Sequence, residues 1–371
     1  MKIMLIFVDG LSHASAKEYF PMLDKENSES VSPGIGFSNN LYPEMLCGTT
    51  PDEIGYFNEW SPVAEPGPIF SILLRALDLF RPFLYINAGI RKIILSKIFK
   101  INYANIPFKY AHLFKPQGSH DFKDLSPSGI LGTHEFKIYD SVDFKGRKVG
   151  DRDGGAFGLA RENMSNEHTL VSLVDLDNIA HVYGLTSREY DEHAKYLAAE
   201  VGELVRLFSL EDSENKVFLF SDHGMVDVSE SKFFDIENRF GPMAVDSYMY
   251  FVDSTYVRIW IKDESLRDSM TAFLGSLSYG EVLSDDERDE SGVTRKEYGD
   301  YLFRANEGVM LVPNFYGGRA CKSMHGYDGV LTSQRAIFAQ LSNNKQDYDL
   351  PKTSKEVYSF LLNRLEQHAA H

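Results

Sequence analysis

At 371 residues and 43% hydrophobic, the chain is long enough to bury a large core, either as one domain with insertions or as two domains. A net charge of -16 excludes a general nucleic-acid binder, which needs a basic surface. With only Cys47 and Cys321 there is no disulfide framework, which fits a reducing, cytoplasmic setting, and no apolar run reaches the ~20 residues of a membrane span.

The first strand is expected over 3–8, apolar throughout and closed by Asp9-Gly10. A helix is expected over 12–19. Pro33, Gly34 and Gly36 mark a tight backbone passage into Ser38, and a helix then runs to Cys47 and stops at Gly48. Residues 49–55 have loop character. An insertion over 60–165 is entered through Pro62, Pro66, Gly67 and Pro68. Within it, 69–115 carries eight basic residues against the single acid Asp78, and Ile86, Ile90, Ile93, Ile94 and Ile98 recur at helical spacing. Such a segment either packs as a lid with solvated lysines or makes a peripheral contact with an anionic membrane surface, at the inner face for a cytoplasmic protein.

A second apolar strand over 169–174 leads into Asp175-Leu176-Asp177, and His181 follows Asp177 by four residues. On a helical turn these two side chains share a face. Asp175 is a spare acid, either a partner for a histidine or a plain polar strand end. A long amphipathic helix is expected over 187–208, then a strand over 216–221 ending in Asp222-His223-Gly224. A second insertion over 240–315 contains paired strands (247–252 and 256–261), a helix (265–277), an acidic solvated loop (284–290) and a returning strand (302–312). His325 then sits between turn residues, and a last strand (336–340) and a closing helix (354–365) complete the chain.

Three core strands thus end in aspartates: Asp9, Asp177 and Asp222. With His181, His223 and His325 they make six oxygen and imidazole donors, enough for two divalent cations. Two ions ~4 Å apart can clamp the attacking and leaving oxygens of a phosphoryl displacement. The other eight histidines, His193 among them, read as surface or packing residues. Arg161 and Lys322 read as exposed ion-pair residues or as phosphate contacts.

These residues resemble the alkaline phosphatase superfamily, most closely its type I phosphodiesterase/nucleotide pyrophosphatase branch. The resemblance rests on Phe7-Val8-Asp9-Gly10, on Asp177 to His181 with Gly184, on Ser221-Asp222-His223-Gly224-Met225, and on His325-Gly326-Tyr327-Asp328. It implies an α/β fold, with a mostly parallel central sheet covered by helices on both faces, a lid insertion and a smaller α+β cap. The metal-binding core would comprise 1–59, 166–239 and 316–371, the lid 60–165 and the cap 240–315. One ion would be held by Asp177, His181 and His325, and the other by Asp9, Asp222, His223 and the nucleophile's oxygen. Zinc is the usual occupant, with manganese the second candidate. Counting back from Cys47-Gly48-Thr49-Thr50-Pro51 by the family spacing lands on Ser38 as nucleophile. Thr49 and Thr50 compete for that role. Asn58 lies one position short of the family's phosphate-orienting asparagine.

The function so implied is metal-dependent hydrolysis of a phosphodiester or phosphoanhydride through a seryl-phosphoryl intermediate, on a small-molecule, nucleotide-sugar or lipid-linked substrate. A phosphomonoesterase or phosphomutase of the same superfamily is one alternative, and a non-catalytic metal-stabilised binding module is the other. The Cys/Ser-x-Pro-x-Arg setting of sulfatases is missing around both Ser38 and Cys47.

Overall fold

The structure is a computed structural model. It describes residues 2–23, 27–63, 106–107, 110, 113–117, 130–132, 134–144, 146–164, 167–341 and 349–369. The chain forms two compact units, one of residues 1–54, 120–228 and 321–371, the other of 55–119 and 229–320. Most of the basic segment 69–115, and with it the expected membrane contact, lies outside the described residues. Among the described residues no helix is long and apolar enough to cross a membrane.

In the first unit the strands are β1 (Ile3–Val8), β2 (Ser28–Val31), β3 (Lys137–Asp140), β4 (Thr169–Leu173), β5 (Lys216–Phe220), β6 (Val226–Asp227), β7 (Ser323–Met324) and β8 (Ala336–Gln340). Its helices are α1 (His13–Tyr19), α2 (Ser38–Cys47), α3 (Pro51–Ile54), α4 (Arg152–Glu162), α5 (Asp175–Tyr183), α6 (Arg188–Glu211) and α7 (Ser354–Ala369). Six strands make one sheet in the order β2-β8-β5-β1-β4-β3. β5, β1, β4 and β3 run parallel to one another, and β8 is antiparallel to both β5 and β2. The mostly parallel sheet follows from the sequence, because β1, β4 and β5 are buried along their whole length and so read as mainly apolar runs without a polar alternation.

Alternation along β1 divides the core. Met4, Ile6 and Val8 pack with side chains of α1, α4, α5 and α6, among them Ala16, Phe157, Leu176 and Leu197. Ile3, Leu5 and Phe7 pack on the other face with Tyr42, Met45 and Leu46 of α2 and Val357 and Leu361 of α7. Each large apolar side chain so buried contributes roughly 1.5–3 kcal/mol.

The second unit is built on a four-stranded antiparallel sheet of Tyr248–Val252, Tyr256–Ile261, Tyr301–Ala305 and Gly280–Val282. Its centre is a buried ion pair, Arg258 Nε to Asp253 Oδ2 at 3.1 Å, with the guanidinium over the Phe251 ring.

Three local expectations are corrected. The insertion expected over 60–165 divides between the units, because Lys137–Asp140 joins the central sheet as its edge strand. Its Lys-Ile-Tyr-Asp sequence is too polar to announce a core strand. The acidic stretch read as a solvated loop is a helix, Asp285–Ser291, started by a capping box between Ser284 and Glu287. The Ser-x-x-Glu spacing carried that signal. Residues 49–55, expected as loop, contain the short helix α3.

α2 ends at Gly48, whose φ of 65° is left-handed, and a Cβ there would meet the Tyr358 ring of α7 at 2.4 Å. One turn earlier Glu44 is buried, and burial pushes its carboxyl up to about 7 against the lowering pull of Lys355 and Ser354. The folded protein therefore holds this proton more tightly than the unfolded chain, and the advantage is lost as pH rises between roughly 4 and 7. Glu44→Gln should gain on the wild type across that window by about 3 kcal/mol at most. Urea midpoints of both proteins at the two ends of the window check this, and a difference that does not change with pH would refute it.

Candidate metal centre

β5, β1 and β4 are neighbours in the sheet, so their C-terminal ends open side by side. This is the edge where ligands bind in open α/β sheets. Asp9 follows β1, and its N–H donates to Leu173 O at the end of β4. Asp222 follows β5 one residue after Ser221, whose hydroxyl donates to Leu11 O at 2.6 Å and accepts from Ile337 N. α5 starts directly after β4, and Asp177 and His181 share one face of it, with Oδ1 and Nε2 3.3 Å apart. His325 follows β7 and brings Nε2 to 3.7 Å from Asp177 Oδ1. Gly10 (φ 69°) turns the chain away from β1, and its N–H donates to Asp222 Oδ1. A Cβ at Gly10 would come within 3.1 Å of the Asp177 side chain.

Ser38 is the first residue of α2. Its Oγ lies 3.1 Å from His223 Nε2 and 3.4 Å from Asp9 Oδ1. His223 Nε2 in turn lies 3.2 Å from Asp222 Oδ2 and 3.5 Å from Asp9 Oδ1. The His223 and His325 rings stack, with centroids 3.7 Å apart. All seven residues expected at the metals therefore meet within the first unit.

Both edge histidines have their tautomer set by the main chain. His181 Nδ1 donates to Ser323 O at 2.8 Å, and His223 Nδ1 donates to Gly224 O at 2.9 Å. Each presents Nε2 to the carboxylates, as metal-ligating histidines do when a carbonyl holds their other nitrogen.

The charges are strongly perturbed. Burial, then the carboxylates of Asp222 and Asp177, push the Asp9 carboxyl well above its ordinary range. Burial also raises Asp222, against the opposing pull of His223. For Asp177 burial acts upward, but His181, His325 and His223 outweigh it and hold the carboxyl below the usual range. Burial lowers His181, yet Asp177 and then Cys321 lift it well above normal. Burial and the neighbouring His223 keep His325 far below it.

This donor set fits divalent cations. Two groups of three have ligand atoms within 4.8 Å of one another: Asp177 with His181 and His325, and Asp9 with Asp177 and His223. Asp222 adjoins the second group through His223. Asp177 belongs to both. Its Oδ1 is buried, and its nearest polar neighbours are two imidazole nitrogens, His181 Nε2 at 3.3 Å and His325 Nε2 at 3.7 Å. Mixed oxygen and imidazole ligation of this kind suits zinc or manganese.

The remaining candidates are bound by other partners. Thr49 Oγ1 donates to Pro43 O and Thr50 Oγ1 to Glu53, both past the C-terminus of α2, about 15 Å along a ten-residue helix from Ser38. Asn58 belongs to the second unit. There its amide nitrogen donates to Asp253 Oδ1, and its oxygen accepts from Trp60 N–H and Tyr316 Oη. Arg161 pairs with Glu200 at 2.8 Å. Asp175 neither partners a histidine nor ends a strand in solvent, being bound by Arg152 at 2.5 Å. Tyr42 was missed. Its hydroxyl donates to Asp9 Oδ2 at 3.0 Å, and the signal was its place four residues after Ser38, on the same helix face.

The chain matches the type I phosphodiesterase / nucleotide pyrophosphatase family over residues 84–328, and it belongs to that family. It is a hydrolase of phosphate-ester bonds, the class that family defines. Among solved structures it is similar to murine ectonucleotide pyrophosphatase / phosphodiesterase 5, at TM-score 0.62 and 14% identity over 99% of this chain and 95% of that one. An inactive threonine-to-alanine variant of the same murine protein, in complex with AMP, aligns at TM-score 0.64 with the same identity and coverage. Phosphonoacetate hydrolase from Sinorhizobium meliloti, in complex with phosphonoformate, aligns at TM-score 0.60 and 12% identity over 98% of this chain and 95% of that one. No curated protein sequence matches the chain.

Removing the Tyr42 hydroxyl should loosen Asp9. Tyr42→Phe is expected to weaken divalent-metal affinity by roughly 10–100-fold, the usual cost of losing a hydrogen bond behind a ligand. Calorimetric zinc titration of the chelator-stripped protein measures it, and unchanged affinity would show that Tyr42 does not hold Asp9.

Proposed function

We propose that the protein hydrolyses a phosphodiester or phosphoanhydride of a small molecule, with Ser38 as nucleophile and two divalent cations, zinc first and manganese second, as cofactors. The observation that carries this is a hydroxyl inside the ligand set: Ser38 Oγ is in contact with both His223 Nε2 and Asp9 Oδ1. Asp177, His181 and His325 would hold one cation. Asp9, Asp222, His223 and Ser38 Oγ would hold the other. Bound cations lower the pKa of a coordinated hydroxyl and neutralise charge on the phosphoryl oxygens.

The chain's own residues supply the rest. Ser38 Oγ attacks phosphorus in line with the leaving oxygen, and the new bond to Ser38 forms as the bond to the leaving group breaks. The hydroxyl proton passes to solvent before attack, because His223 Nε2 and Asp9 Oδ1 would be taken up as ligands, and the leaving oxygen gains its proton from water. Water then attacks the phosphoseryl group from the opposite side, Ser38 recovers its proton, and two inversions leave configuration at phosphorus retained. α2, a ten-residue helix, begins at Ser38, and the positive end of its dipole would favour a phosphoryl anion there. The murine relative whose threonine-to-alanine variant is inactive and binds AMP supports both a hydroxyl nucleophile and a nucleotide-like substrate. The basic charge of 69–115 supports a lipid-linked member of the same substrate class.

Ser38→Ala should lower turnover of bis-nitrophenyl phosphate by roughly 10³-fold or more while keeping bound metal. Near-normal rates would remove Ser38 from the mechanism. With the wild type, the diester should be cleaved faster than nitrophenyl phosphate; the reverse order would make the protein a monoesterase.

A further inference from the structure

Behind the metal centre, α4 and α5 begin beside each other, and neither is capped by its own residue. The residues preceding them, Asp151 and Val174, make no side-chain cap bond. A helix start leaves N–H groups unsatisfied and carries partial positive charge, so two such starts in contact need an anion each. Each helix supplies the other's. Asp153 of α4 accepts through Oδ1 from the N–H groups of Val174 and Asp175, at 3.1 and 3.3 Å. Asp175 of α5 accepts through Oδ2 from the N–H groups of Arg152 and Asp153, at 2.8 and 3.2 Å. The Arg152 guanidinium closes on Asp175 Oδ1, and Ser141 Oγ donates to Asp153 Oδ1 at 2.6 Å. Asp153 Oδ2 is held by His193 Nε2 of α6 at 2.9 Å. Both carboxylates are fully buried.

Asp153, Asp175 and His193 are close enough together to suggest a third cation site. Their carboxylate oxygens are already taken by N–H, hydroxyl and guanidinium donors, and the Arg152 cation stands where a metal would. The cluster is a hydrogen-bond network.

We infer that this reciprocal cap is a clamp that sets the position of Asp177 and His181, with Asp153 and His193 as positioning residues for the metal centre. The inference rests on the metal-dependent reading above. Asp177 follows the clamped Asp175 by two residues. At the other end of α5, Lys322 N–H donates to His181 O, and Ser323 O holds the His181 ring. Away from Asp177 and His181, Ile179 packs in the core with Leu176 and Ala180, while the exposed Tyr183 borders an open cleft of about 740 Å³ shared with His193 and Tyr196. Packing holds α5 on the sheet, and the clamp fixes its first turn.

The test uses the full chain stripped of metal, titrated with zinc by calorimetry, with circular dichroism to verify the fold. Asp153→Asn and His193→Ala should weaken binding at one of two sites by roughly 10–100-fold, and His193→Gln, which keeps an N–H toward Asp153, should stay close to wild type. If Asp153→Asn does not fold, the contrast between His193→Ala and His193→Gln decides alone. Folded His193→Ala binding zinc as tightly as wild type overturns the clamp and leaves the metal-dependent reading intact. A wild type that takes up no zinc overturns that reading and the clamp with it.

Discussion

Three carboxylates crowded at the ends of neighbouring strands govern the first unit. Asp9 and Asp177 bring oxygens within 4.8 Å of each other in a buried setting, and Asp222 adds a third acid. Like charges ~4 Å apart repel by about 4 kcal/mol at the effective dielectric typical of protein pairs. That repulsion appears as the upward push on Asp9 from both other acids. The chain tolerates it because Asp9 and Asp222 follow strands, and Asp177 opens a helix, whose other contacts are largely apolar. The histidines around them, the hydroxyl of Tyr42 and the N–H of Gly10 each oppose part of the charge, and a divalent cation would oppose the rest.

Much of this was legible in the sequence. The strands of the parallel sheet are buried on both faces and write themselves as mainly apolar runs, so an acid that stops such a run marks the functional edge. Asp177 and His181 followed from helical spacing. What stayed hidden is polar or distant. Lys137–Asp140 is an edge strand buried only at Tyr139 and Asp140, so its sequence carries no run. The Asp153–His193 bond joins residues forty positions apart, and His193 looks like any helix-face histidine until α4 is folded against α6. Ser38 came from the family spacing, and which end of α2 meets the strand ends is set by the fold, which no local pattern encodes.

Asn58 lies one position short of the family's phosphate-orienting asparagine, and three hydrogen bonds tie its amide to Asp253, Trp60 and Tyr316 in the second unit. A buried ion pair needs its remaining lone pairs and protons met by such neighbours. Asparagine carries both kinds of group on one short side chain, which suits that place.

The main-chain anchors of His181 and His223 have a consequence for how this family can drift. An imidazole steered by an acidic side chain loses its steering when that acid is substituted. Here the steering atoms are peptide oxygens of Ser323 and Gly224, which every amino acid supplies alike. A change of side chain at 323 therefore leaves the oxygen that steers His181 in place, whereas position 224 is limited to glycine for want of space, since a Cβ there would meet Ser333 O at 2.1 Å.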